Sequence, residues 1–144
     1  MQTVTNPEVS IDPGEIPSML ATLCSYEAWL GPYHPQTLHL LAQVGIAYLH
    51  IGDARHALPF LERAVRDLGN HLRPDHAHRL HALTALRDLF AAERNFDRAR
   101  AAQSELLRCK ILSLGKDHPE TVAARAALAA ILLQDTAGDP DRQV

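Results

Sequence analysis

Gly31-Pro32-Tyr33-His34-Pro35-Gln36-Thr37 returns as Arg73-Pro74-Asp75-His76-Ala77-His78-Arg79, and again as Gly115-Lys116-Asp117-His118-Pro119-Glu120-Thr121, each copy 42 positions after the last. Leu30, Leu72 and Leu114 precede the copies. A fixed period of this length marks one supersecondary unit stacked on copies of itself. Such a unit cannot bury its apolar face alone, so neighbours share a continuous core. Stacked units also present an extended surface, which points to binding rather than chemistry.

The residues between the motifs say which unit is stacked. Aromatics make up 5% of the chain while alanine and leucine dominate, a composition that favours helix over strand. Apolar residues recur at helical spacing. They are Ile16, Leu20, Leu23 and Ala28–Leu30 in a first helix ended by Gly31-Pro32, then Leu38, Leu41, Val44, Gly45 and Tyr48 in a second. Pro35 opens that second helix, a position proline favours. Ala57, Phe60, Leu61, Ala64, Val65 and Leu68 follow in a third, after the Gly52-Asp53 turn. The pattern predicts further helices over 76–92, 96–113 and 119–135, with Thr136 to Pro140 as a stop. Shifted by 42, residues 15–30 fall on 57–72, a second-helix position.

The expected fold is therefore all-α: a helical-hairpin superhelix of about six antiparallel helices. Residues 1–13 are a flexible N-terminal arm and 14–136 a helical repeat domain. That domain divides into a half-repeat at 14–30, repeats at 34–70 and 76–113, and a half-repeat at 118–135, with a polar tail at 137–144. The half-repeats serve as end caps.

Residues within each unit carry a family likeness. Val44-Gly45, Tyr48, Gly52, Ala57, Leu61 and Ala64 form a large-small pair, an aromatic, a turn glycine and three packing residues. In the next unit Phe90, Phe96, Ala99 and Leu106 stand at matching places. This resembles the tetratricopeptide repeat. The 42-residue period and the linker Leu114-Gly-Lys-Asp-His-Pro-Glu-Thr121 resemble its longer, kinesin-light-chain-like form. The likeness covers roughly 15–135. Eight residues beyond the usual 34 are about 12 Å of helix, placed mostly in the second helix of each unit. The chain departs from the pattern where Arg87 replaces Gly45, Arg125 replaces Leu41 and Gln103 replaces Leu61.

The resemblance implies that first helices line a concave groove. The positions offset from the packing face are His39, Gln43, Ile46 and His50, then His81, Ala85, Asp88 and Ala92, then Ala123, Ala127, Ala130 and Gln134. His39, Gln43, Ile46, His50, His81 and Asp88 are the expected ligand contacts. The longer repeats carry asparagine pairs where this chain has Ala42-Gln43, Thr84-Ala85 and Ala126-Ala127, so only Gln43 offers a comparable amide. The expected ligand is a protein or peptide partner, held as a helix or apolar segment. The competing reading is a self-associating structural piece or scaffold with no groove ligand. Leu128, Ile131, Leu132 and Leu133 span more than half the circumference of the last helix, so one side of it is expected to support weak self-association, as a homodimer.

Other classes are set aside. A net charge of −3 and a pI near 6.3 give no basic face for nucleic acid. Local arginines are interleaved with acids and read as solvated faces. No apolar run reaches the ~18 residues of a membrane span, and the N-terminus has no secretory pattern. Cys24 and Cys109 read as buried or half-buried free thiols. His34, His76 and His118 are expected to cap helices. His76, His78 and His81 do not form a converging ligand set, so no metal and no cofactor are expected. No phosphate loop, nucleophile elbow or carboxylate pair suggests an enzyme. The reading is a cytoplasmic interaction module. A bacterial source is suggested by 12 arginines against 2 lysines.

Overall fold

The computed structural model describes residues 14–73 and 75–137; of Ala137 only the backbone is described. The expected arm at 1–13, the tail residues 138–144 and Pro74 of the second motif lie outside the described residues. Six helices follow in order: α1 Glu15–Trp29, α2 Pro35–His50, α3 Ala54–His71, α4 Ala77–Ala92, α5 Phe96–Leu114 and α6 Pro119–Ala137. Among the described residues there is no strand.

The repeated motif works as a helix start. The Nδ1 atoms of His34, His76 and His118 accept from the backbone N–H groups of Gln36, His78 and Glu120, each at 3.2 Å. Each ring thus takes the place usually held by a serine or aspartate oxygen. The second helices use the ordinary device: Asp53 accepts from the His56 N–H at 3.1 Å and Asn95 from the Arg98 N–H at 3.4 Å. Between paired helices the chain turns through a left-handed residue, Gly52 at φ 82° and Arg94 at φ 58°. Glycine adopts that conformation freely, whereas a side chain there costs about 1–2 kcal/mol.

The first pair, α2 with α3, packs through small and branched apolar residues. Leu38, Leu41, Val44, Ala47, Leu61 and Leu68 are all fully buried. The closest approach is at Gly45, where a Cβ would stand 2.8 Å from Leu61 Cγ. Glycine is therefore required there for packing, not for a turn.

The second pair, α4 with α5, solves the same contact with polar atoms. Arg87 and Gln103 occupy the places of Gly45 and Leu61. The Arg87 guanidinium donates to Gln103 Oε1 at 2.8 Å, and Gln103 Nε2 donates to the Ala124 carbonyl at 2.9 Å. Gln103 is 1% exposed, so these bonds satisfy an amide that would otherwise be costly to bury. The two departures from the repeat pattern are thus one compensated exchange. Arg125, by contrast, is exposed.

The stacking of first helices also differs between the units. α2 lies against α4, but among the described residues α4 and α6 make no approach of similar extent. α6 is carried by α5 instead. Arg79 provides a second polar anchor at a position where the other units have Thr37 and Thr121. It is largely buried and lies against Gly69. It donates to the Val65 carbonyl at 3.1 Å and to Glu105 at 3.2 Å, tying α3, α4 and α5 together. At the N-terminal end Glu27 Oε1 stands 3.0 Å from Arg63 Nη2 without hydrogen-bond alignment, so that α1–α3 link is Coulombic.

A double-mutant cycle tests the compensated pair. Gln103→Leu should cost about 1–3 kcal/mol, because it removes a buried acceptor from a guanidinium. Arg87→Ala in that background should add little, giving a coupling energy of about 1–2 kcal/mol in urea unfolding. Strictly additive losses would show that the two residues do not act as a pair.

Candidate functional site

One side of α2 and of α4 carries the expected contact residues. On α2, His39 and Ile46 are half-buried while Gln43 and His50 are exposed. Ile46 packs against the main core and still reaches solvent. On α4, His81 and Asp88 are exposed and Ala85 is 9% exposed, a floor between them. Asp88 is engaged by the neighbouring Arg87 at 2.7 Å, which leaves that corner of the surface nearly neutral. The structure therefore places all six on two helices that touch.

His39 and His78 link those helices directly. Their Nδ1 atoms are 2.9 Å apart and their ring centroids 3.8 Å apart. Gln43 Nε2 lies 3.4 Å from His39 Nε2. An amide N–H donating to that nitrogen leaves the His39 proton on Nδ1, from which it is given to His78. The contact holds one shared proton and has no room for a second. Burial pushes both rings below the ordinary histidine value, and repulsion adds to it, from His76 and His81 on His39 and from His39, His76 and His81 on His78. A cavity of about 200 Å³ opens beside the pair, lined by Pro35, Gln36, His39, His76 and His78. Sequence periodicity placed His78 in a helix start and missed this role, because contacts between α2 and α4 are not visible in spacing alone.

Two depressions lie between α4 and α6, where the helices stand apart. One, of about 250 Å³, is lined by His81, Thr84, Leu106, Lys110 and Glu120 among others. The other, of about 160 Å³, shares Thr84, Leu106 and Lys110 and adds Arg87, Gln103 and Ala124. The floor of this surface is supplied by α5, with Lys110 and Gln103 beside the apolar Leu106. Lys110 and Gln103 were not among the expected site residues, since they belong to a second-type helix. The signal was present in Arg87 and Gln103, two polar departures from the repeat pattern that line the second depression.

The expected self-association residues divide in two. Ile131 is 6% exposed and belongs to the core, and Leu128 is half-buried. Leu132 and Leu133 are 41% and 69% exposed, with Val122 at 50% beside them. Both cysteines are free thiols, but Cys24 is exposed rather than buried, since α1 is covered by α2 on one side only. Cys109 is buried, and that burial raises its thiol above the ordinary range. Among the described residues no three histidine, cysteine or acidic side chains converge on a metal position. No helix there is long and apolar enough to cross a membrane. Compared with known proteins, the chain matches no family model, and no curated protein matches it.

The histidine contact carries a pH dependence. Unfolded histidines take up protons near 6.5, before the folded pair does. The unfolded state then binds more protons as pH falls through and below that value, so stability falls with it. His39→Gln with His78→Gln should flatten the slope of unfolding free energy between about pH 7.5 and pH 5. A slope equal to the parent's would show that the pair does not titrate as described.

Proposed function

We propose that the chain is a protein-interaction module of the tetratricopeptide type, with a concave groove formed by α2, α4 and α6 that binds a peptide or helical segment of a partner protein. The observation that supports this reading is the half-exposed Ile46, set among polar groups on a face where α2 and α4 meet. A partly buried aliphatic residue ringed by hydrogen-bonding side chains is the arrangement of a binding anchor. Gln43, His50 and His81 supply donors and acceptors around it, and His39 holds Gln43 in place. The depression floored by Lys110 extends the same face toward α6 and gives room for a side chain of the bound segment. The chemistry offered is recognition: the titratable groups of the face are paired with each other or open to solvent, and none is set beside a nucleophile.

A peptide-display selection on the whole chain tests the reading. Enriched peptides should bind the parent protein and lose at least about tenfold in affinity, roughly 1.4 kcal/mol, with Ile46→Glu or His81→Glu. Circular dichroism should show both variants folded. Peptides that bind the variants and the parent equally would place the binding surface elsewhere, and selection that enriches nothing would count against the groove.

A further inference from the structure

Among the described residues, the pairing rule that joins α2 to α3 and α4 to α5 leaves α1 and α6 each without such a partner helix. Positions in α6 are those of α2 shifted by 84. Val122, Ala129 and Leu132 therefore stand where Leu38, Gly45 and Tyr48 stand. Leu38 and Gly45 are buried under α3, whereas Val122, Ala129 and Leu132 are all exposed. Positions in α1 are those of α3 shifted by −42. Met19, Thr22 and Tyr26 therefore stand where Leu61, Ala64 and Leu68 stand. The α3 residues are fully buried, and their α1 counterparts are half-exposed. One end of the array shows the face of a first helix, and the other shows the face of a second helix.

The two faces are matched at the position that decides each internal pair. In the first pair the contact is Gly45 on Leu61, small against branched. In the second it is Arg87 on Gln103, donor against acceptor. The corresponding residues at the ends are the exposed Ala129 and the half-exposed Met19, which packs at the edge of its own core: small against flexible. A Cβ at position 45 would meet Leu61 at 2.8 Å. The methyl of Ala129 would meet an unbranched thioether chain instead, which yields with little strain. Four residues back from the contact and three residues on, Arg125 would face Thr22, a small side chain beside which an arginine stem can run out to solvent. We propose that α6 of one copy packs on α1 of a second copy, head to tail, as α2 packs on α3.

A second contact of the internal pair carries over to the same arrangement. His71, at the end of α3, stacks on Tyr33 with ring centroids 3.9 Å apart. Trp29 holds the His71 position in α1, and it is 87% exposed. Head-to-tail packing brings it onto the loop of the other copy that contains Lys116, Asp117 and His118. The chain has one tryptophan, so its emission reports on that contact alone. The interface is heterologous: each copy uses a different face, so copies add end to end. One helix pair is smaller than the roughly 1,200–2,000 Å² of a stable interface, and the association is correspondingly weak. This inference does not depend on the groove being occupied.

The test uses the full chain from about 5 µM to about 500 µM, a range suited to weak association. Sedimentation velocity should show the mean mass rising with concentration, and tryptophan emission should shift to the blue. Ala129→Glu alone and Thr22→Arg alone should each stay monomeric at every concentration. Their equimolar mixture should form a one-to-one pair and nothing longer, because each variant keeps the face the other has lost. Trp29→Glu, a change at an exposed residue, should behave as Thr22→Arg does and separates loss of the face from loss of folding. A parent chain monomeric at the highest concentration would overturn the proposal. So would a Thr22→Arg chain that still associates while Ala129→Glu does not, since that pattern belongs to α6 packing on α6.

Discussion

Everything in this fold depends on how closely a first helix can approach the second helix that follows it. Gly45 and Leu61 set that distance in the first pair, where no heavier side chain than hydrogen fits. Arg87 and Gln103 set it in the second pair through a 2.8 Å hydrogen bond. The first solution is purely steric and leaves nothing over. The second has an amide with a spare donor, and that donor reaches the backbone of α6. A polar exchange at one position thereby decides how the third unit is held.

The consequence is an uneven surface on an even repeat. α2 and α4 touch, and their meeting face is sealed by the His39–His78 contact. α4 and α6 stand apart, and the space between them is floored by α5. An array in which all three units packed like the first would expose only first helices on that side. Here Lys110 of a second helix becomes part of it, above the buried Gln103. Buried polar pairs of this kind add little net stability compared with apolar packing. Their effect lies in geometry, because they join α4, α5 and the backbone of α6 through directed bonds.

The helices, their order and their caps were legible in the sequence because they follow from local chemistry repeated at a fixed period. The three histidine caps are the clearest instance: each ring bonds two residues ahead, so nothing beyond the motif is needed to see it. The placement of α1 as a second-type helix came from the same 42-residue offset. What was not legible depends on contacts between units. Arg87 and Gln103 read as two separate faults when taken singly, and as one exchange only when α4 and α5 are side by side. His78 could be placed on a helix but not against His39. Cys24 looked apolar by spacing and is exposed, because a helix at the end of an array has fewer neighbours than the pattern supposes.

The same reasoning explains why the ends of the array differ from its middle in kind. In a middle unit, each apolar residue is covered from both sides, so its identity is constrained by shape: Leu38, Leu41 and Leu61 are fully buried. At the ends the constraint is one-sided. α6 keeps apolar residues at Val122, Leu132 and Leu133 although nothing among the described residues covers them, while Arg125 has entered a position that is leucine in α2. Water alone would favour polar substitution along that whole face, since exposed apolar side chains gain nothing from burial they do not have. The face is small and aliphatic beside one charge. An apolar centre with a charge at its border is what the proposed packing of α6 on a second copy would require.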